Sequence, residues 1–572
     1  MTLDRKSFLK STIVSGLGLS LNPGSFSITD KDQKPSNKGT EYHVSVSGSD
    51  QNDGSRSAPF QTIMRASEMA EAGDIITVHE GVYRERVIPP IGGTSEKKHI
   101  VYRAAKGEKA EIKGSEVIKD WKKFKGNVWK VTIPNTFFGA YNPYKDIIAG
   151  DWLDDHGRDH HTGQVYMNGV SLDEMNTLER VLNPLKGEQK KNKARVSRTW
   201  YCESDKNNTY IYANFHDYNP NNELVEINVR KSCFYPEKTG INYITIRGFH
   251  LSQAATQWAP PTAEQIGLIG TRWSKGWIIE GNTIRDSRCT GITLGKYGDK
   301  WDNTSEDTAE GYVETIKRAK ENGWGKGNIG HHQVLNNTIT HCEQAGIVGS
   351  MGAIFSHIEG NHIHNIWAKR YFSGAEMAGI KIHAPIDSLI KNNCIHHVGR
   401  GIWLDWMTQG TRVQNNILFD NTTDDLFVEV NHGPFLIENN ILLSGHSIRD
   451  WSQGGAFAHN LIAGKVSFMP QDRKTPYFAP HSTLDMKLQD IDGGDNRYYN
   501  NIFLADSPND SDWQFEEGFA KVRKEGYGTQ LYNQAWFSMY VDGNVYYKKA
   551  KPYYEEQNYV MEPDFDSNVS II

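Results

Sequence analysis

A disulfide framework and a zinc site are the first things this sequence argues against. It has five cysteines, Cys202, Cys233, Cys289, Cys342 and Cys394, an odd number with no CxxC among them. Buried free thiols are the expectation that remains. Charge of one sign is also lacking. A net charge of −6 and a pI of about 6.4 give no electrostatic case for nucleic acid. No apolar run approaches the roughly 20 residues that a membrane span needs. Hydrophobic residues reach only 37%. What the chain has in quantity is glycine, 53 residues, and aromatics, with 15 Trp and 26 Tyr. That composition suits many turns and either a carbohydrate-binding surface or a large core. A length of 572 residues exceeds one ordinary core but fits an elongated repeat domain with an insert.

The first forty residues stand apart. Arg5-Lys6 leads into a short, weakly apolar run, Ser11–Leu21, the shape of an export signal. "DRKSFLK" resembles a twin-arginine signal with Lys6 in place of the second arginine. A polar stretch, Thr29–Thr40, follows as a linker. Residues 1–40 are therefore expected to export the chain to the periplasm or the medium.

The second half repeats itself. "WIIEGNTI", "QVLNNTI", "SHIEGNHI", "SLIKNNCI", "RVQNNIL", "FLIENNIL", "AFAHNLI", "RYYNNIF" and "YVDGNVY" each place one asparagine between apolar residues. These are Asn282, Asn337, Asn361, Asn393, Asn416, Asn440, Asn460, Asn501 and Asn544. Consecutive steps are 55, 24, 32, 23, 24, 20, 41 and 43 residues. Periods in the twenties mark a solenoid, and the longer steps imply insertions. Strand alternation with Gly and Asn turns, and no regular helix in each period, selects an all-β, right-handed parallel β-helix. An asparagine at a fixed corner suits the left-handed conformation and can bond its counterpart one coil on.

Residues 111–230 do not repeat. Short alternating strands there predict an inserted β-sandwich. The β-helix then comprises 41–110 and 231–572, with a capping helix near Ile63–Ala72. "DTAEGYVETIKRAKENGWG" reads as a further helix, and Met469–Gly494 as a long excursion between coils.

The asparagines serve as a ruler. Asp405 lies 11 residues before Asn416, and Glu429 lies 11 before Asn440. In "GIWLDW", Ile402 and Leu404 take one strand face, and Trp403 and Asp405 the other. In "DLFVEV", Leu426 and Val428 face inward, and Phe427 and Glu429 outward. Matching "AGIKIHAP" adds His383, so the ruler predicts an outward column of His383, Asp405 and Glu429. Adjacent strands lie about 4.7–4.9 Å apart, close to the roughly 5–5.5 Å between carboxyl groups in retaining glycosidases. Two like charges so close would raise the pKa of one and keep it protonated as an acid. Stacked acids on a solenoid are often mere solvated surface. Here Trp403, Trp406, Glu376, Asn431 and His432 converge with them, as in a sugar pocket.

"GIWLDWMTQGTRVQNNILFDN", "DLFVEVNHGPFLIENNILLSGHS", "WDNTSEDTAEGYVETIKRAKENGWG" and "TPYFAPHST" resemble glycoside hydrolase family 120, the β-xylosidases, over most of the chain after Glu41. The resemblance implies a retaining, exo-acting hydrolase that releases xylose from xylo-oligosaccharides. It implies Asp405 as nucleophile, Glu429 as acid/base and Glu376 as a further active-site carboxylate. Trp403, Trp406, Phe427, His383, Asn431, His432 and, on its long loop, His481 complete the expected substrate-binding set. No cofactor is required by that chemistry. Asp490, Asp492 and Asp495 in "DIDGGDNRYY" could hold a structural calcium, although the EF-hand spacing is missing and a turn is the simpler reading. Two alternatives come from the fold class. A β-helix lyase or uronate epimerase needs a basic residue at the column. Arg400 and Arg412 are nearby, but no Lys or Arg falls between His383 and Glu429 on the ruler. A non-enzymatic surface carbohydrate-binding protein is the other.

Overall fold

Each asparagine of the repeat is buried, and within each unit the side chains bond from one coil to the next. In the computed structural model, the backbone N–H and the Nδ2 of Asn416 both donate to Oδ1 of Asn440, at 3.0 and 2.9 Å. The Nδ2 also donates to the Ile390 carbonyl at 3.1 Å. Asn393 makes the same pair of bonds to Asn416. The pattern runs on through Asn460, Asn501 and Asn544. It ends on Glu556, whose Oε1 accepts from Asn544 and whose Oε2 accepts from the Tyr546 hydroxyl. Steps of 41 and 43 residues leave the ladder unbroken.

The left-handed corner falls one residue earlier than expected. The residues at positive φ are those just before the ladder asparagines: Gly281, Asn336, Gly360, Asn392, Asn415, Asn439, His459, Asn500 and Gly543. They are Gly, Asn or His, types that tolerate this region. The double asparagine in "NN" is thus one residue for the turn and one for the ladder.

The structure describes residues 39–183, 198–305, 307–374, 376–471, 473–507 and 524–569. The expected export signal lies outside them. Two compact units are formed, one from 39–356 and 361–382, the other from 357–360 and 383–569. In the first unit, parallel strands pair coil on coil from Glu41–Val44 through Ile75–Val78, Ile100–Ala104 and Ile244–Arg247 to Ile278–Glu280. The helix Ile63–Met69 packs on the first of them and buries Ile63, Ala66 and Ser67. Thr62 caps it, and Glu85 accepts from its first two N–H groups at 2.9 Å. It stops short of Ala72 because Ala70 is already extended. A second helix, Ala309–Glu321, starts at the Thr308 cap.

The insert is a β-sandwich. One sheet holds Ser115–Val117, Val225–Asn228, Val165–Met167 and Val170–Ser171. The other holds five strands, with Val128–Pro134, Asn208–Asn214 and Thr199–Ser204 at its middle. Trp121, Val131, Val165, Trp200, Ile211 and Ile227 share one core between them. Glu174 of the insert accepts from the buried Arg288 of the β-helix, and its other oxygen accepts from His161 at 2.8 Å. Burial alone would raise this carboxyl's pKa, but Arg288 and the histidines hold it well below the usual range.

In the second unit, three sheets wind together. Leu389–Lys391, Arg412–Gln414 and Phe435–Glu438 belong to one, Cys394–His396 and Ile417–Phe419 to another. Arg400–Asp405, Asp424–Glu429, His446–Trp451 and Lys465–Phe468 form the third. The excursion folds as an antiparallel hairpin, Lys474–Phe478 against Asp485–Asp490. All five cysteines are free thiols, four of them buried. No helix of the described residues is long and apolar enough to cross a membrane.

The ladder makes a prediction. Asn416→Ala removes the acceptor that the Asn393 N–H and Nδ2 share and the donor to the Ile390 carbonyl, and each buried bond lost without replacement costs about 1–3 kcal/mol. A loss of at least about 3 kcal/mol is expected in urea unfolding. Asn415→Gly, which keeps the left-handed turn, should cost less than about 1 kcal/mol. Equal losses would contradict the division of labour within "NN".

Candidate active site

The strands Arg400–Asp405 and Asp424–Glu429 pair in parallel with Trp403 opposite Phe427 and Asp405 opposite Glu429. Ile402, Leu404, Leu426 and Val428 are buried in the coil interior, so the alternating partners face outward, as the equal 11-residue offsets require. Both strands end in a left-handed turn directly after the carboxylates, at Trp406 and Met407 and at Val430. The acids therefore sit at the strand ends, side by side at the inter-strand spacing of about 4.8 Å.

Neither acid is a solvated surface group. Asp405 is 4% exposed and Glu429 9%, so each needs partners. His383 Nε2 lies 3.1 Å from Asp405 Oδ2. The Trp403 indole N–H donates to Glu429 Oε2 at 3.1 Å, and Arg473 Nη2 donates to Oε1 at 2.9 Å. Trp406 donates its backbone N–H to the Glu429 carbonyl at 3.0 Å and sits in the turn.

The aromatic column beside the acids is packed, not open. Trp403 is 5% exposed and Phe427 1%. Their centroids are 4.9 Å apart, and Trp451 meets Phe427 edge-on at 5.0 Å. Two guanidiniums cover the rings: Arg400 lies 4.3 Å from the Trp403 centroid and Arg449 4.8 Å from that of Phe427. Asp424 holds the cations. Its oxygens lie 3.0 Å from Arg449 Nη2, 3.6 Å from Arg400 Nε and 2.6 Å from His446 Nδ1. Burial would raise the Asp424 pKa, but Arg449 and His446 hold it well below the usual carboxylate range. Its neighbour Asp425 has only neutral donors, from Ser444 and Asn421, and burial pushes it up to about 8. Trp403 and Phe427, both in the expected substrate-binding set, form a buried stack behind Glu429.

The remaining expected residues have the following partners. Asn431 is fully buried and works as a second ladder rung, accepting from Thr408 N–H and donating to the Leu404 carbonyl. His432 donates from Nε2 to the Thr475 carbonyl at 3.2 Å and meets Tyr477 edge-on, and burial lowers its pKa. His481 is exposed and bonds Asp387 at 2.7 Å. Glu376, buried in the other unit, lies 3.3 Å from Lys381 Nζ. Arg412 pairs with Glu438 on another sheet. Of the acidic trio in the excursion, Asp490 pairs with Lys474 at 3.5 Å and Asp495 with Arg497 at 2.9 Å. The ruler missed Arg473 and Trp451. Arg473 comes from the excursion, which has no rung. Trp451 is the strand partner of Glu429, yet it precedes Asn460 by nine residues because that coil is only 20 residues long.

Three segments of the chain match family models. Residues 118–227 match the family model for the glycoside hydrolase 120 insertion domain. Residues 266–462 match a right-handed β-helix region, and 46–88 a family of proteins of unknown function, DUF1565. The chain is 44% identical to XylC, solved in complex with xylose, over 93% of this chain and 87% of XylC, with a TM-score of 0.86. A second solved structure, a glycoside hydrolase, is 12% identical and covers 81% of this chain and 96% of its own, with a TM-score of 0.49. The uncharacterized protein YwoF of Bacillus subtilis (strain 168) is 39% identical over 79 residues, which span 14% of this chain and 17% of YwoF.

The Asp424 cluster is testable by stability. Asp424→Asn leaves buried guanidiniums without their counter-ion and is expected to cost about 3–5 kcal/mol at neutral pH. Because the folded-state pKa is depressed, the wild type's advantage is fully present above the unfolded value of about 3.9. It shrinks as pH falls from there through the folded pKa. Urea unfolding of both proteins between pH 7 and pH 3 measures the gap, and a gap that stays constant below pH 4 would contradict this assignment.

Proposed function

We propose that this chain, which belongs to glycoside hydrolase family 120, is an exported β-xylosidase that releases xylose from the non-reducing end of β-1,4-xylo-oligosaccharides with retention of configuration. The observation that carries this reading is the register of Asp405 opposite Glu429 on adjacent strands. Strands about 4.8 Å apart bring the two side chains close to the roughly 5–5.5 Å carboxyl separation of retaining enzymes rather than the roughly 6.5–9.5 Å of inverting ones. The complex of XylC with xylose supports the sugar.

In this mechanism Asp405 attacks the anomeric carbon and forms the glycosyl-enzyme ester as the glycosidic bond breaks. Glu429 gives its proton to the departing oxygen, then takes one from the water that cleaves the ester. His383, 3.1 Å from Asp405 Oδ2, orients the nucleophile by occupying the oxygen that does not attack. The family resemblance adds Glu376 as a sugar-binding carboxylate. The two carboxylates supply the chemistry without a cofactor.

Arg473 at Glu429 is the observation that favours a second reading, a lyase, since such an enzyme needs a basic residue there. Unsaturated uronate products absorb in the ultraviolet, and xylose does not.

Proton NMR of the first-formed product tests the proposal. An aryl β-xyloside should release β-xylose before mutarotation. Initial α-xylose would mean inversion, and no release from xylosides alongside turnover of another glycoside would reassign the substrate.

A further inference from the structure

The buried stack behind Glu429 has a chemical consequence. An indole N–H donates and never accepts. The oxygen bonded to it, Oε2, is thereby fixed as an acceptor. Oε1 meets Arg473 Nη2 at 2.9 Å, so the carboxyl is held at both oxygens by groups that only donate, and its orientation toward a departing oxygen is set by these two contacts. The indole itself is held on several sides, 5% exposed, against Phe427 and under Arg400, which Asp424 anchors.

We infer that Trp403 is a positioning residue for the acid/base, anchoring Oε2 so that the carboxyl is presented in one orientation, rather than a platform for sugar. This rests on the assignment of Glu429 above. It also separates the two ends of the aromatic column by role: the indole edge orients chemistry, while its faces are spent on packing.

Trp403→Phe keeps a ring in the stack and removes the N–H. Kinetics of the full-length variant on aryl β-xylosides of graded leaving-group acidity, and on xylobiose, test the inference. General acid catalysis contributes about 10²–10⁴-fold, so a mispositioned acid should lower kcat/KM on xylobiose by about 10–100-fold. With a dinitrophenyl leaving group, which departs without a proton, the loss should stay within about threefold. A uniform loss across leaving groups would mean a structural role, and no loss on xylobiose would mean no role. Either result overturns the inference. If Trp403→Phe fails to fold, the benzothiophene analogue of tryptophan at 403 keeps the shape and replaces only N–H by sulfur, with the same expected pattern. Glu429→Gln separates the two levels. If it lacks the steep leaving-group dependence, the acid/base assignment itself fails; if it shows that dependence and the Trp403 variants do not, only the present inference fails.

Discussion

The bond between one asparagine side chain and the next is the constraint from which the pairing of the two acids follows. Each Oδ1 accepts two hydrogen bonds from the coil before it, so coils cannot slip against each other without stranding buried donors. In a parallel sheet a slip of one residue would exchange inside for outside. The ladder therefore fixes more than stability: it puts Asp405 opposite Glu429 and Trp403 opposite Phe427. Insertions of any length are tolerated between rungs, because they do not touch the ladder. That is why an excursion can lay a hairpin beside the acids and deliver Arg473 to one of them.

A second demand comes from burying charge on the outer face of that sheet. Two acids, two arginines, an aspartate and two histidines crowd the four strands at His383, Arg400–Asp405, Asp424–Glu429 and His446–Trp451. Hydrophobic collapse cannot hold such a face together. It coheres because each charge is matched: Asp424 with Arg449, Arg400 and His446, Glu429 with Arg473, and Asp405 with His383. Aromatic rings fill the space between the guanidiniums. The packing that stabilises the face also holds the two acids rigid, the preorganisation that the proposed chemistry needs.

Much of this was legible in the sequence where spacing was regular. The coils ending at Asn416 and Asn440 carry equal 11-residue offsets, and there the pairing of the two acids could be counted. The next coil is shorter, so the same count lands on Arg449 rather than on Trp451. Arg473 has no rung to be counted from. Which asparagine of "NN" turns the chain and which bonds is a backbone question that residue type alone leaves open, since both positions suit asparagine. Alternation put Trp403 outward, but outward was not exposed: Arg400 of its own strand lies over its ring, and Phe427 of the next strand packs on it. Asn431 looked like a polar pocket residue for the same reason, although its amide is absorbed in coil-to-coil bonds.

The central claim is that Asp405 is the atom donor of a covalent intermediate, held beside its acid by the register of the ladder. Trapping tests it most directly. A 2-deoxy-2-fluoro-xyloside with an activated leaving group forms the ester faster than it is hydrolysed, because the fluorine slows both steps and the leaving group speeds the first. Peptide mass spectrometry of the inactivated protein should find one fluoroxylosyl group, on Asp405. A label on Glu429, on Glu376 or on another residue, or turnover with no label at all, would contradict the account.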